Sequence, residues 1–111
     1  MQRVEIAGVK PIELSPGYTA RFIHTERMTF SFLEVRAGSV SAEHSHPHEQ
    51  VAMLSEGEFE LTIEGVPVRF GPESVIVIPP NVRHSGLAIT DCKLMDVFTP
   101  VREDFKTLSE K

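Results

Sequence analysis

From Glu58 to Glu64, apolar and polar side chains alternate without a break: Phe59, Leu61 and Ile63 stand between Glu58, Glu60, Thr62 and Glu64. A period of two puts one set on a buried face and the other in water, so this stretch predicts a half-buried β-strand. Glu64-Gly65 supplies turn chemistry, and residues 66–70 read as the returning strand of a hairpin. Short segments of the same kind recur at residues 18–24, 51–54, 84–89 and 93–98, and residues 75–78 read as a short buried strand. Between them lie turn and stop signals: Ser15-Pro16-Gly17, Gly57, Gly71-Pro72-Glu73, Pro79-Pro80-Asn81 and Thr90-Asp91.

Two segments depart from simple alternation. In residues 28–35, Phe30 and Phe32 share one face and Leu33 and Val35 the other, which predicts a strand covered on both sides or lying at a subunit contact. A homodimer is expected on that ground. Residues 4–14 mix polar and apolar positions, with Pro11 limiting any helix. Thr99 then Pro100 predicts an N-cap and first helical position, opening a short helix through about Leu108. Many short strands with almost no helix indicate an all-β barrel or sandwich. Residues 1–111 show no internal repeat or linker and are expected to form a single domain.

Composition narrows the partners. Sixteen acidic residues against eleven Lys and Arg give a formal charge of -5, with no basic cluster, which argues against a nucleic-acid partner. No apolar run approaches the length needed to cross a bilayer, and Met1-Gln2-Arg3-Val4-Glu5 lacks a secretory core, so a cytoplasmic protein without a membrane partner is expected. The single cysteine, Cys92, excludes an internal disulfide and, inside an apolar strand, reads as a buried inert thiol.

Candidate chemistry is concentrated in residues 44–50. His44 and His46 are two apart, the spacing that aims two strand side chains at one point. Pro47 breaks the strand and lets the chain return a further donor, with His48, Glu49 and Gln50 as candidates. His84, directly after the Pro79-Pro80 stop, is the remaining candidate; His24, without companions, reads as structural. Three His and one further donor would hold a divalent ion with positions open to water or substrate. Farther on, Leu94, Asp96 and Phe98 share one face of a strand. An inward carboxylate there needs a partner or a chemical use, and Arg102 would supply a structural ion pair.

These residues resemble the cupins. Their first motif runs Gly, five residues, His-X-His, three or four residues, Glu, six residues, Gly; here it spans Gly38 to Gly57, with Gln50 in the place of Glu. Their second motif is similar to Gly71, Pro79-Pro80-Asn81 and His84, with Asn81 replacing Gly and Ala88 the usual Asn. The resemblance implies a double-stranded β-helix, or jelly roll, with His44, His46, Gln50 and His84 as metal ligands and no organic cofactor. It favours zinc or nickel, although iron and manganese also suit such donors.

The His-Ser-His-Pro-His-Glu-Gln form of the first motif and the ending from Asp96 to Phe105 resemble the pectin-degradation cupins. Those proteins convert 4,5-unsaturated uronates to linear ketonised sugars, and their Asp-X-Phe-X-X-X-Arg pattern falls on Asp96, Phe98 and Arg102. The implied activity is a metal-dependent isomerase acting on an anionic sugar, with Asp96 as acid or base, Phe98 as a wall and Arg102 holding the acid group. Three His and a Gln, all neutral, would leave the ion its full charge. A cupin dioxygenase with a redox metal and a non-catalytic sugar-binding or sensing cupin are the alternatives.

Overall fold

A computed structural model describes residues 1–110. Ten strands are followed by one helix: β1 (Ile12–Ser15), β2 (Tyr18–His24), β3 (Thr29–Val35), β4 (Val40–His44), β5 (Glu49–Glu56), β6 (Phe59–Ile63), β7 (Val66–Phe70), β8 (Val75–Ile78), β9 (His84–Ala88), β10 (Cys92–Thr99) and α1 (Glu103–Ser109). They form two antiparallel sheets, a six-stranded one in the order β1-β2-β3-β10-β5-β8 and a four-stranded one in the order β4-β9-β6-β7. This is the jelly roll that the motifs imply. Alternation sends Ala20, Leu33, Ala52 and Leu94 inward from the first sheet to meet Phe59, Leu61 and Ala88 from the second.

The crossovers place β10, the next-to-last element, in the middle of the larger sheet. Asp96 thereby pairs with Ser31 of β3 on one side and Ala52 of β5 on the other. The turns between strands are tight. Gly57 has φ +95°, and a Cβ added to it would lie 2.4 Å from the Asp91 carbonyl oxygen, so glycine is required twice over. Asn81 adopts φ 65°, the left-handed conformation that its replacement of a motif glycine demands.

Two expectations are corrected. The helix begins at Glu103 with Arg102 as its N-cap, not at Thr99-Pro100. Thr99 is still pairing with Glu49 of β5, so its backbone belongs to the sheet. Residues 75–78 form an edge strand rather than a buried one: Ile78 is inside, while Val75 and Val77 are more than half exposed. In β3 the chain itself covers one face, and of the two alternatives expected for this strand the subunit contact is the one left open. Thr29, Ser31, Leu33 and Val35 are buried, and Phe30 and Phe32 lie half-buried on the outer face. No helix among the described residues is long and apolar enough to cross a membrane.

Candidate metal centre and active site

The ends of three elements converge at one mouth of the barrel. His44, the last residue of β4, pairs in register with His84, the first of β9. His46 stands in the corner that Pro47 creates, and its carbonyl accepts the Asn81 backbone N–H at 2.8 Å, which ties this corner to the loop before His84. One ring nitrogen from each of the three imidazoles lies within 4.8 Å of the others. Gln50 enters from β5, where alternation buries it and leaves Glu49 exposed.

Backbone carbonyls set the tautomers. Nδ1 of His44 donates to the Ala42 carbonyl at 2.7 Å, Nδ1 of His84 to Val82 at 2.8 Å, and Nδ1 of His46 to His48 at 3.1 Å. Each ring's Nε2 is then a bare lone pair. The buried Nε2 of His84 has no hydrogen-bond partner. That of His46 lies 3.1 Å from Gln50 Oε1, a second lone-pair atom. Ligands bonded at about 2 Å to one ion are separated by about 3 Å, so these atoms are spaced as neighbours on a shared cation. Burial pushes His46 down to about 4, with the Arg102 charge adding to the effect, and desolvation also lowers His84. Both stay neutral and able to ligate at pH 7. The donors present therefore fit a divalent transition-metal ion.

His48 and Glu49 are not in this set. Glu49 points outward, and the His48 ring packs 5.4 Å from that of His46 and 6.5 Å from Phe98. Asp96 faces inward from β10, with Oδ1 buried and unpartnered. Desolvation pushes its carboxyl up to about 7, against the pull of the Gln50 side chain and the Arg102 charge. Phe98 packs edge-on to His46 at 5.6 Å.

The ion pair expected between Asp96 and Arg102 does not form. Arg102 binds Asp104 instead, through Nε at 3.0 Å and Nη2 at 2.7 Å, and its guanidinium lies 3.8 Å from the Phe105 ring centre and 4.8 Å from that of Phe98. Asp104 is two residues away in the first helical turn and largely solvated, so this pairing requires no second buried charge. The bidentate pair leaves Nη1 outside it. A cavity of about 120 Å³ joins these groups, with His44, Gln50, His84, Asp96, Phe98 and Arg102 among its walls.

Sequence reasoning missed three residues here. Asp104 carried a local signal, its spacing from Arg102. Thr29 carried none: its Oγ1 accepts the Arg102 backbone N–H at 2.9 Å across 73 residues and bonds His24 Nδ1 at 2.9 Å. Ser31 is buried beside Asp96, marked only as a small polar residue within an aromatic strand.

The fold and the clustered imidazoles define a small β-barrel whose mouth carries three histidines positioned to bind a metal ion. Residues 31–98 match the cupin domain family Cupin_2, and the chain belongs to it. No curated protein matches the chain. Among solved structures, KdgF from Halomonas sp. is 27% identical, with a TM-score of 0.81 over 86% of this chain and 90% of that one. An RmlC-like cupin from Shewanella frigidimarina NCIMB 400 is 26% identical, with a TM-score of 0.83 over 89% of this chain and 90% of that one. Oxalate decarboxylase OxdC from Bacillus subtilis, at 18% identity and a TM-score of 0.79, covers 87% of this chain and 29% of its own, and shares the fold alone.

Proposed function

We propose that the chain is a metal-dependent isomerase that opens and ketonises a 4,5-unsaturated uronate. The observation that carries this reading is the placement of an inward carboxyl that burial pushes up to about 7, Asp96, in one cavity with a guanidinium and the imidazoles of His44 and His84, which cluster with that of His46. The likeness to KdgF and the ending shared with the pectin-degradation cupins support the substrate class. His44, His46, Gln50 and His84 hold one divalent transition-metal ion, zinc or nickel by preference. Bound there, the ion supplies Lewis acidity and a positive charge for an anionic sugar.

Arg102 receives the acid group of the sugar on its Nη1, with its guanidinium packed against the rings of Phe98 and Phe105. Asp96 in its ionised form takes the proton of the anomeric hydroxyl. The freed electron pair forms the aldehyde, the bond from the anomeric carbon to the ring oxygen breaks with its electron pair staying on that oxygen, and an enolate remains. Asp96, now protonated, returns its proton to C4, and the C4=C5 bond gives way to a ketone at C5. Protons and electrons balance, and no oxidant is needed. A group titrating near pH 7 populates both required states.

The test is to load the purified protein with zinc or nickel, add the unsaturated monosaccharide and follow the ultraviolet absorbance of its conjugated double bond. Loss of absorbance well above the blank supports the reading, and none overturns it. Asp96→Asn separates catalysis from mere sugar binding, because an enzyme loses turnover while a binding module shows none in either form.

The protein works as one domain in the cytoplasm, where the free, buried thiol of Cys92 suits a reducing compartment, and as a homodimer. Two cross-strand rows on the outer face of the larger sheet, Phe30-Val97-Val51-Val77 and Phe32-Met95-Met53-Val75, form the apolar contact. A sedimentation mass of one chain would refute the dimer.

A further inference from the structure

We infer that Ser31 contacts the substrate and determines its orientation: together with Asp96 it forms a subsite for one hydroxyl of the sugar. This rests on the reading of the site as a uronate site. Ser31 is 1% exposed, and its hydroxyl oxygen is buried without a hydrogen-bond partner. Its cross-strand neighbours are Phe22 on β2, which offers it nothing polar, and Asp96 on β10. Residues directly opposite in an antiparallel pair have Cβ atoms about 5 Å apart, so Ser31 Oγ and the unpartnered Asp96 Oδ1 border the same spot. Both residues line the cavity that His44 and His84 also border.

A serine in a strand between Phe30 and Phe32 contributes little to packing or strand propensity. Thr29, the next residue on the same face, spends its hydroxyl on Arg102 and His24. Ser31 spends its hydroxyl on nothing in the protein, and a buried polar group left unpaired is penalised unless something else satisfies it. The missing partner lies in the cavity.

The chemistry of the pair selects that partner. Ser31 donates one hydrogen bond and the Asp96 carboxylate accepts one. A group that both accepts and donates completes the pair, and an alcohol hydroxyl does so. A carboxylate, which only accepts, would meet Asp96 as a like charge. The acid group is therefore kept at Arg102, and a hydroxyl is placed at Ser31, which fixes the direction in which the ring enters.

The experiment compares wild type with Ser31→Ala and Ser31→Thr, all metal-loaded, by ligand-induced melting shifts with galacturonate and with cyclohexanecarboxylate, which has no hydroxyl. Affinity for galacturonate should fall about 5- to 30-fold in Ser31→Ala, the range for a hydrogen bond near a charged group, and return at least in part in Ser31→Thr. Affinity for cyclohexanecarboxylate should not change. Metal-free Ser31→Ala should melt at or above the wild-type temperature, since no protein contact is lost. Equal galacturonate affinity in Ser31→Ala and wild type, or a lower melting temperature for the metal-free variant, would overturn the inference. Wild type that binds galacturonate but does not turn over the unsaturated uronate would overturn the proposed reaction while leaving Ser31 standing, and wild type that turns over the unsaturated uronate but binds no galacturonate would overturn the inference while leaving the reaction standing.

Discussion

Asp96→Asn should make the metal-free protein more stable at alkaline pH while abolishing turnover in the loaded protein. The carboxyl moves from 3.8 to about 7 on folding, mainly through desolvation. Below pH 4 it is protonated whether folded or unfolded and contributes no difference. Between pH 4 and 7 the unfolded chain ionises while the folded one holds its proton, so the unfolded state binds fewer protons and stability falls as pH rises. Above 7 the full penalty is present, on the order of 4 kcal/mol from the displacement at about 1.4 kcal/mol per pH unit. Asparagine has nearly the same shape, remains neutral and keeps a polar atom for Gln50. Urea unfolding in the presence of chelator should therefore give wild type and Asp96→Asn midpoints that nearly coincide at pH 4 and separate progressively to pH 9, with the variant more stable by about 2 to 4 kcal/mol. A separation that is the same at both pH values, or a variant less stable at pH 9, would refute the assignment of Asp96 as a desolvated carboxyl.

Three further perturbations probe the scaffold. His84→Ala removes a buried Nε2 that has no partner in the protein, so metal content by elemental analysis should fall from about one ion per chain to a small fraction, at least 10-fold lower, with the fold retained by circular dichroism. Thr29→Val leaves the Arg102 N–H and the His24 ring without their shared hydroxyl partner. It should cost about 1–3 kcal/mol in urea unfolding and raise KM for the uronate more than it lowers kcat. Gly57→Ala forces a side chain into a positive φ and against the Asp91 carbonyl; a loss of about 2–4 kcal/mol is expected, measured as a lower melting temperature.

How much was legible beforehand follows the range of the interactions involved. The alternation of Phe59, Leu61 and Ile63 is a property of seven consecutive residues, and the strand it predicts is β6, with Phe59 and Leu61 buried. The His-X-His spacing and Pro47 are equally local, and the motif in which they sit carried the fold. Val75 and Val77 were misjudged because their exposure depends on β8 lying at a sheet edge, which is a matter of strand order rather than of the four residues themselves. The helix start was misplaced because Thr99 satisfies its backbone against Glu49, fifty positions earlier. The same holds for Arg102: its backbone is fixed by Thr29, while its side chain takes the solvated Asp104 in preference to the buried Asp96. Local chemistry marked which residues matter, and long-range pairing decided what each one touches.

One physical cause serves both halves of the site. Burial disfavours every charge, so it lowers the imidazoles of His46 and His84, keeping their lone pairs free for an ion, and by the same action raises the carboxyl of Asp96 into the range of a proton shuttle. A divalent ion held by the neutral donors would add positive charge near Asp96 and draw its titration back down. The acid limb of the loaded protein's rate profile should accordingly lie below the pH at which Asp96 titrates in the metal-free protein, by carbon-13 resonance of the carboxyl. If the two coincided, the ion and Asp96 would be too far apart, or too well screened, to share one reaction, and the barrel mouth would be a binding site with a carboxyl nearby rather than an active site.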